Sequence, residues 1–164
     1  MKHPIAQAKN DVTVYVNLIG SQAAASIAQH PYLLGLVKEL LQETKLTGPR
    51  LYFDRDMGRP VGSANVVETS DKDTILYAQA LHGELYKRFV KNGKPLSTRH
   101  ISVLLSRDDD GSYELLDAWV GPLRPPHPGT EDETKAGRDY WDSHAFVLDR
   151  EPIKLRTLTK NCPY

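Results

Sequence analysis

Thr98–Val120 reads TRHISVLLSRDDDGSYELLDAWV, two apolar-rich runs around Asp108-Asp109-Asp110-Gly111, and its reading decides the fold. A short connection of turn-forming residues between two such runs predicts an antiparallel hairpin. With four turn residues and no bulge, Arg107 pairs with Ser112 and each residue i pairs with 219 minus i. One face then carries Ile101, Val103 and Leu105 opposite Ala118, Leu116 and Glu114, and is expected to meet the core. The other carries His100 opposite Trp119, Ser102 opposite Asp117, Leu104 opposite Leu115, and Ser106 opposite Tyr113.

Outward from the hairpin, Val12–Leu18 alternates Val12, Val14, Val16 and Leu18 with polar or aromatic residues, the mark of a strand with one apolar face. Ala23–Gln29 and Pro31–Thr44 predict two helices, the second with a stripe of Leu33, Leu36, Val37, Leu40 and Leu41. Arg50–Asp54 predicts a strand, and Val66 and Val67 a short one. Ile75, Ala78, Leu81, Leu85 and Phe89 recur at helical spacing, so a long helix is expected over Asp71–Asn92, with Ser70 and Asp73 as its capping box, Gly93 as a left-handed cap and His82 in the core. The four prolines of Gly121–Gly129 demand extended chain. Thr130 and Glu133 then open a helix that should end near His144, and two short strands follow at Phe146–Leu148 and Ile153–Leu158. These elements do not alternate strictly. The expected fold is therefore α+β, a mostly antiparallel sheet of about five to seven strands packed by three or four helices. Residues 1–10 are expected as a flexible tail and residues 11–164 as a single domain.

Composition agrees with a packed core. The 164 residues are 40% hydrophobic and 26% charged, and the 21 basic and 21 acidic side chains cancel, which excludes a protein that coats nucleic acid along its whole surface. No run approaches the length of a membrane span, and Met1–Asp11 lacks the apolar stretch of a secretory signal, so a cytoplasmic protein with no membrane partner is expected. A single cysteine, Cys162, excludes an intrachain disulfide and a multi-cysteine zinc module. Lys87, Arg88, Lys91, Lys94 and Arg99 make one locally basic stretch, either the last turns of the expected helix or a phosphate-binding patch.

The second hairpin face gathers an imidazole, a hydroxyl and a carboxylate beside an indole. His100 would act as general base or acid, Asp117 would orient it, Ser102 would position a substrate oxygen and Trp119 would stack on a base. His100-Ile101-Ser102 resembles half of the signature of the two-histidine phosphodiesterases, which carry two such strands facing each other. His144-Ala145-Phe146 has the spacing without the hydroxyl, so no family is assigned. Arg55 and Arg59 lie four residues apart in a loop with Gly58 and Gly62, and two guanidiniums so placed can fork onto one phosphate or carboxylate. Trp141 and His144 share a face in the last expected helix, where the indole serves to dock it. Gly20-Ser21, opening a helix after a strand, offers backbone donors to an anion. His100, Asp117, His127, His144 and Cys162 show no local metal-ligand spacing, and neither metal nor cofactor is expected. Two functions follow. The first is a small metal-independent phosphoester-acting enzyme, ribonuclease-like or phosphodiesterase-like, working on RNA or a nucleotide. The second is a non-catalytic domain for protein interaction or self-association through Trp119, Trp141 and Tyr113.

Overall fold

A computed structural model describes residues 2–19, 22–81 and 83–164. The expectations for Gly20, Ser21 and His82 lie outside the described residues. The chain divides into two compact units, one of residues 1–62 and 98–123, the other of residues 63–97 and 124–164.

The first unit is built on the hairpin. Strands β1 (Lys2–Gln7), β2 (Thr13–Asn17) and β3 (Arg50–Asp56) join β9 (His100–Arg107) and β10 (Tyr113–Val120) in a sheet ordered β1-β2-β10-β9-β3. Residues expected as a tail thus form an edge strand, antiparallel to β2. Helices α1 (Gln22–Ala28) and α2 (Pro31–Gln42) fall where the sequence places them. Proline at the first turn of α2 needs no N–H bond there, and His30 Nδ1 accepts from Leu33 N. The α2 stripe of Leu36, Val37, Leu40 and Leu41 packs with Val14, Val16, Ile101, Val103, Leu105, Tyr113 and Leu115 in one buried cluster. Burying such side chains contributes roughly 1.5–3 kcal/mol each, so this cluster dominates the unit's stability.

β1 is fastened at the hairpin tip. Lys2 Nζ lies 2.9 Å from Asp108 and 3.2 Å from Asp110, and 4.7 Å above the Tyr15 ring, whose hydroxyl bonds Asp108. The two aspartates hold the ammonium above its ordinary range, and burial followed by the Asp108 bond pushes the Tyr15 phenol up to about 12.

The second unit departs from expectation. In place of one long helix, residues 71–92 form the hairpin of β6 (Ile75–Gln79) and β7 (Tyr86–Val90). With β5 (Val66–Glu68) and β11 (His144–Val147) it makes a sheet ordered β5-β11-β7-β6. The apolar residues sit at helical spacing, but Tyr77, Tyr86, Phe89 and Val90 favour extended chain, and Gly83 inside a helix would cost about 1 kcal/mol. Gly83 instead closes the turn, donating its N–H to Ala80 O at 3.0 Å. The Ser70/Asp73 pair makes a turn before β6, with Asp73 Oδ2 accepting from Ser70 N at 2.7 Å. Asn92, not Gly93, takes the left-handed backbone, at φ 61°. Gly93 is required for close approach, since a Cβ there would stand 2.7 Å from Val90 Cγ1.

Without that helix the basic stretch has no dipole to offset. Lys87 pairs with Glu151 at 3.0 Å, and Arg88 donates to Thr69 Oγ1 and His144 O. Helix α3 (Lys135–Ser143) starts after Thr134, whose hydroxyl accepts from Gly137 N, and Glu133 accepts from Gly129 N instead of capping a helix with Thr130. Residues 153–158 hold a single 3-10 turn, Leu155–Thr157, flanked by isolated bridges to Ala80 and Tyr77. A short ribbon of β4 (Gly62–Ala64) and β8 (Leu96–Thr98) completes the 11 strands and three helices among the described residues. The α+β expectation is therefore corrected: among the described residues the protein is mostly β, with three sheets and only about 20% helix.

Trp141 docks α3 as expected. It is 2% exposed, lies 5.2 Å from the Phe146 ring and 4.6 Å from His127, and donates its indole N–H to Pro125 O. His144 instead stacks on Tyr140 at 3.8 Å. His127 is 7% exposed, accepts from Arg88 N through Nε2 and reaches Pro128 O through Nδ1. Burial pushes its pKa down to about 4. Above its ordinary value of 6.5 the ring is neutral folded and unfolded alike. As pH falls from there towards about 4, only the unfolded ring takes a proton, so stability should fall by about 1.4 kcal/mol per pH unit. In a Trp119→Phe background, denaturant titrations followed by Trp141 emission should show this loss above the carboxylate range. His127→Gln should abolish it, and an unchanged slope in that variant would contradict the assignment.

Candidate functional site

The residues proposed from sequence all lie in the first unit, and four of them, His100, Ser102, Asp117 and Trp119, lie on the sheet face opposite α1 and α2. The hairpin turn is one residue longer than four. Arg107 pairs with Tyr113, Asp108 N donates to Ser112 O, and Gly111 adopts φ 88°. A one-residue change of register would by itself turn every β10 side chain over. Near the turn it does so, placing Tyr113 and Leu115 in the core where Leu116 and Glu114 were expected. A bulge at Leu116 then inserts a second residue and restores the original parity. Beyond it Trp119 faces Ser102 and Asp117 faces Leu104.

With β3 paired antiparallel to β9, the open face has four rows. They are Arg50, Ser106, Glu114 and Tyr15; Tyr52, Leu104 and Asp117; Asp54, Ser102 and Trp119; and Asp56 with His100. His100, Ser102 and Trp119 are thus brought together in adjacent rows. Asp117 shares their face but not the histidine's row, and its Oδ1 accepts from Ala118 N. The carboxylate nearest His100 is Asp54, with Oδ2 at 3.8 Å from Nδ1, beyond hydrogen-bond length. That Oδ2 accepts from Leu123 N at 2.9 Å, and His100 Nδ1, shielded from solvent, has no hydrogen-bond partner. Ser102 is fully buried and donates its hydroxyl to Gly121 O at 2.7 Å. It is a strap for the chain leaving β10.

Trp119 donates its indole N–H to Pro122 O, and its ring lies 5.9 Å from Tyr52 at 59°. Tyr52 is 40% exposed. Tyr52 and Asp54 escape sequence reasoning because nothing local says that β3 lies beside β9. The only available signal was the alternation within Arg50–Asp54.

The arginines do not join this group. Arg55 pairs with Ile101, which puts it on the helix side of the sheet, where it donates to Glu43 O at 2.9 Å and Thr44 Oγ1 at 3.0 Å. It caps the carbonyl end of α2. Arg59 grips Glu39 of α2 with two bonds of 2.9 Å, holding that carboxyl below its ordinary range. Asp56, the last residue of β3, pairs with Arg99 at 3.0 Å.

Chemically, the face offers an aromatic and aliphatic strip of Tyr52, Leu104 and Trp119. Asp54, Asp56, Glu114 and Asp117 surround it, with one arginine, Arg50, in the same rows. Surface clefts of about 500 and 380 Å³ lie at the hairpin tip and are lined by none of the six candidate side chains. Among the described residues no cluster of three or more His, Cys, Asp or Glu is arranged to hold a metal, and no helix is long and apolar enough to cross a membrane.

Ser102→Ala separates a structural hydroxyl from a reactive one. It leaves Gly121 O without its buried donor, and thermal denaturation should register a loss of about 1–2 kcal/mol. An undiminished Tm would refute the strap. No family model, no curated protein and no solved structure matches the chain.

Proposed function

We propose that the protein is a non-catalytic interaction domain that engages a cationic, apolar segment of another protein through the Tyr52, Leu104 and Trp119 strip. The observation that carries this reading is the strip's company. A half-exposed aromatic pair surrounded by four carboxylates attracts apolar groups flanked by Lys or Arg and repels phosphate. Tyr113 and Trp141, expected in the same surface, are buried and take no part in it. The phosphoester reading is less well supported. Arg55 and Arg59 are engaged by α2, Ser102 is engaged by Gly121, and His100 meets no carboxylate at hydrogen-bond length. A cytoplasmic setting belongs to the same proposal and rests on the scarcity of cysteine.

Trp119 emission supplies the test, measured in a Trp141→Phe background. A synthetic peptide alternating leucine with arginine should shift the emission, the shift should weaken as salt is raised, and Asp54→Asn with Asp117→Asn should reduce the affinity severalfold. The same peptide with glutamate for arginine should bind far more weakly. Equal response to both peptides, or none to either, overturns the proposal. A response to single-stranded polyuridylate instead would favour the nucleotide reading.

A further inference from the structure

β3 is the terminal strand of the five-stranded sheet, with a cation, Arg50, at its start and an anion, Asp56, at its end. Its pairing with β9 determines which backbone groups face outward. Met57 N donates to Arg99 O and Arg107 N to Pro49 O, both at 2.8 Å. In an antiparallel ladder the doubly bonded pairs recur every second residue. Leu51, Phe53 and Arg55 therefore direct their N–H and C=O groups into β9. Arg50, Tyr52, Asp54 and Asp56 direct theirs away from it, and three of the four are exposed residues.

We infer that β3 is a self-complementary edge, on which a second copy of this chain adds its own β3 antiparallel about a two-fold axis at Phe53. In that register Arg50 meets Asp56 of the second copy, Tyr52 meets Asp54, and both relations repeat across the axis. All four pairs join outward-facing backbone groups, so the ladder closes over the whole strand and Phe53 meets its own copy at the centre. The side chains agree with the backbone. Arg50 and Asp56 share one face, so the register makes two symmetric cross-strand ion pairs, whereas an edge guarded by a single sign of charge would repel its own copy. Registers displaced by two residues either pair Asp54 with Asp54 or give up part of the ladder. The contact is isologous and closes as a dimer with one continuous sheet of both copies. The Trp119 strip of each copy faces the same side of that sheet.

Charge exchange tests this register. Sedimentation velocity of the wild-type chain should show a concentration-dependent dimer. Arg50→Glu sets a carboxylate against Asp56 of the second copy, and Asp56→Arg sets two guanidiniums together, so each variant alone should dimerise at least about tenfold more weakly. An equimolar mixture of the two should dimerise again, because both cross-strand pairs are then of opposite sign. Asp56 also accepts from Gly58 N and pairs with Arg99 in its own chain, so a second pair of variants guards against the loss of those contacts. Tyr52→Pro removes an N–H that β9 does not use and should give a monomer, while Tyr52→Ala keeps the N–H and should remain dimeric. A wild-type monomer at every concentration overturns the proposal. So does a dimer indifferent to Arg50→Glu and Tyr52→Pro, or a mixture of folded variants no better associated than its components.

Discussion

The bulge at Leu116 is the constraint on which the first unit depends. The β9–β10 hairpin lies inside the sheet, with β3 on one side and β2 on the other, so its register decides the side chains offered to both faces. The turn over Asp108–Ser112 displaces the pairing by one residue, which buries Tyr113 and Leu115. Continued to the end of β10, the same displacement would have turned Trp119 into the core and exposed Ala118 and Val120. The extra residue at Leu116 reverses it. One hairpin thus supplies core side chains near its turn and the His100, Ser102 and Trp119 face at its open end.

The two faces of that sheet use charge differently. On the helix side, Arg55 of β3 satisfies the carbonyl of Glu43 at the end of α2 and Arg59 holds Glu39 on the same helix, so the two guanidiniums tie helix to sheet. On the open side, carboxylates outnumber cations around an aromatic strip. That imbalance, more than the identity of any one residue, turns the reading from phosphate chemistry to recognition of a cationic protein segment. Net neutrality of the whole chain does not reveal that local imbalance.

The second unit shows how far local patterning misleads. Residues 71–92 carry apolar residues at helical spacing, yet β7 lies between β6 and β11, where Phe89 and Val90 are buried consecutively. A strand covered on both sides loses its period of two and can mimic a helix. The β-formers at Tyr77, Tyr86 and Phe89 and the glycine at 83 were the contrary signal. Thr130 and Glu133 had the form of a capping box, but Thr130 bonds His127 O and Thr134 caps α3 instead, a choice made by the turn that His127 anchors.

Sequence alone determined the elements whose signals are local. The alternation of β2, the proline-started α2 with its leucine stripe, the hairpin about Gly111 and the docking role of Trp141 each follow from residues within one element and its caps. Tertiary structure decided what depends on a neighbour remote in the chain. It put β3 beside β9, and so gave His100 Asp54 for company instead of Asp117. It set the hairpin register through one bulged residue, sent Arg55 to the opposite face, and recruited residues 75–90 into a sheet with β11. The physical reason is the same in each case. Helical stripes and turns are stabilised by interactions a few residues apart, whereas a strand's partner, register and face are set by hydrogen bonds and burial contributed by chain that the local pattern does not contain.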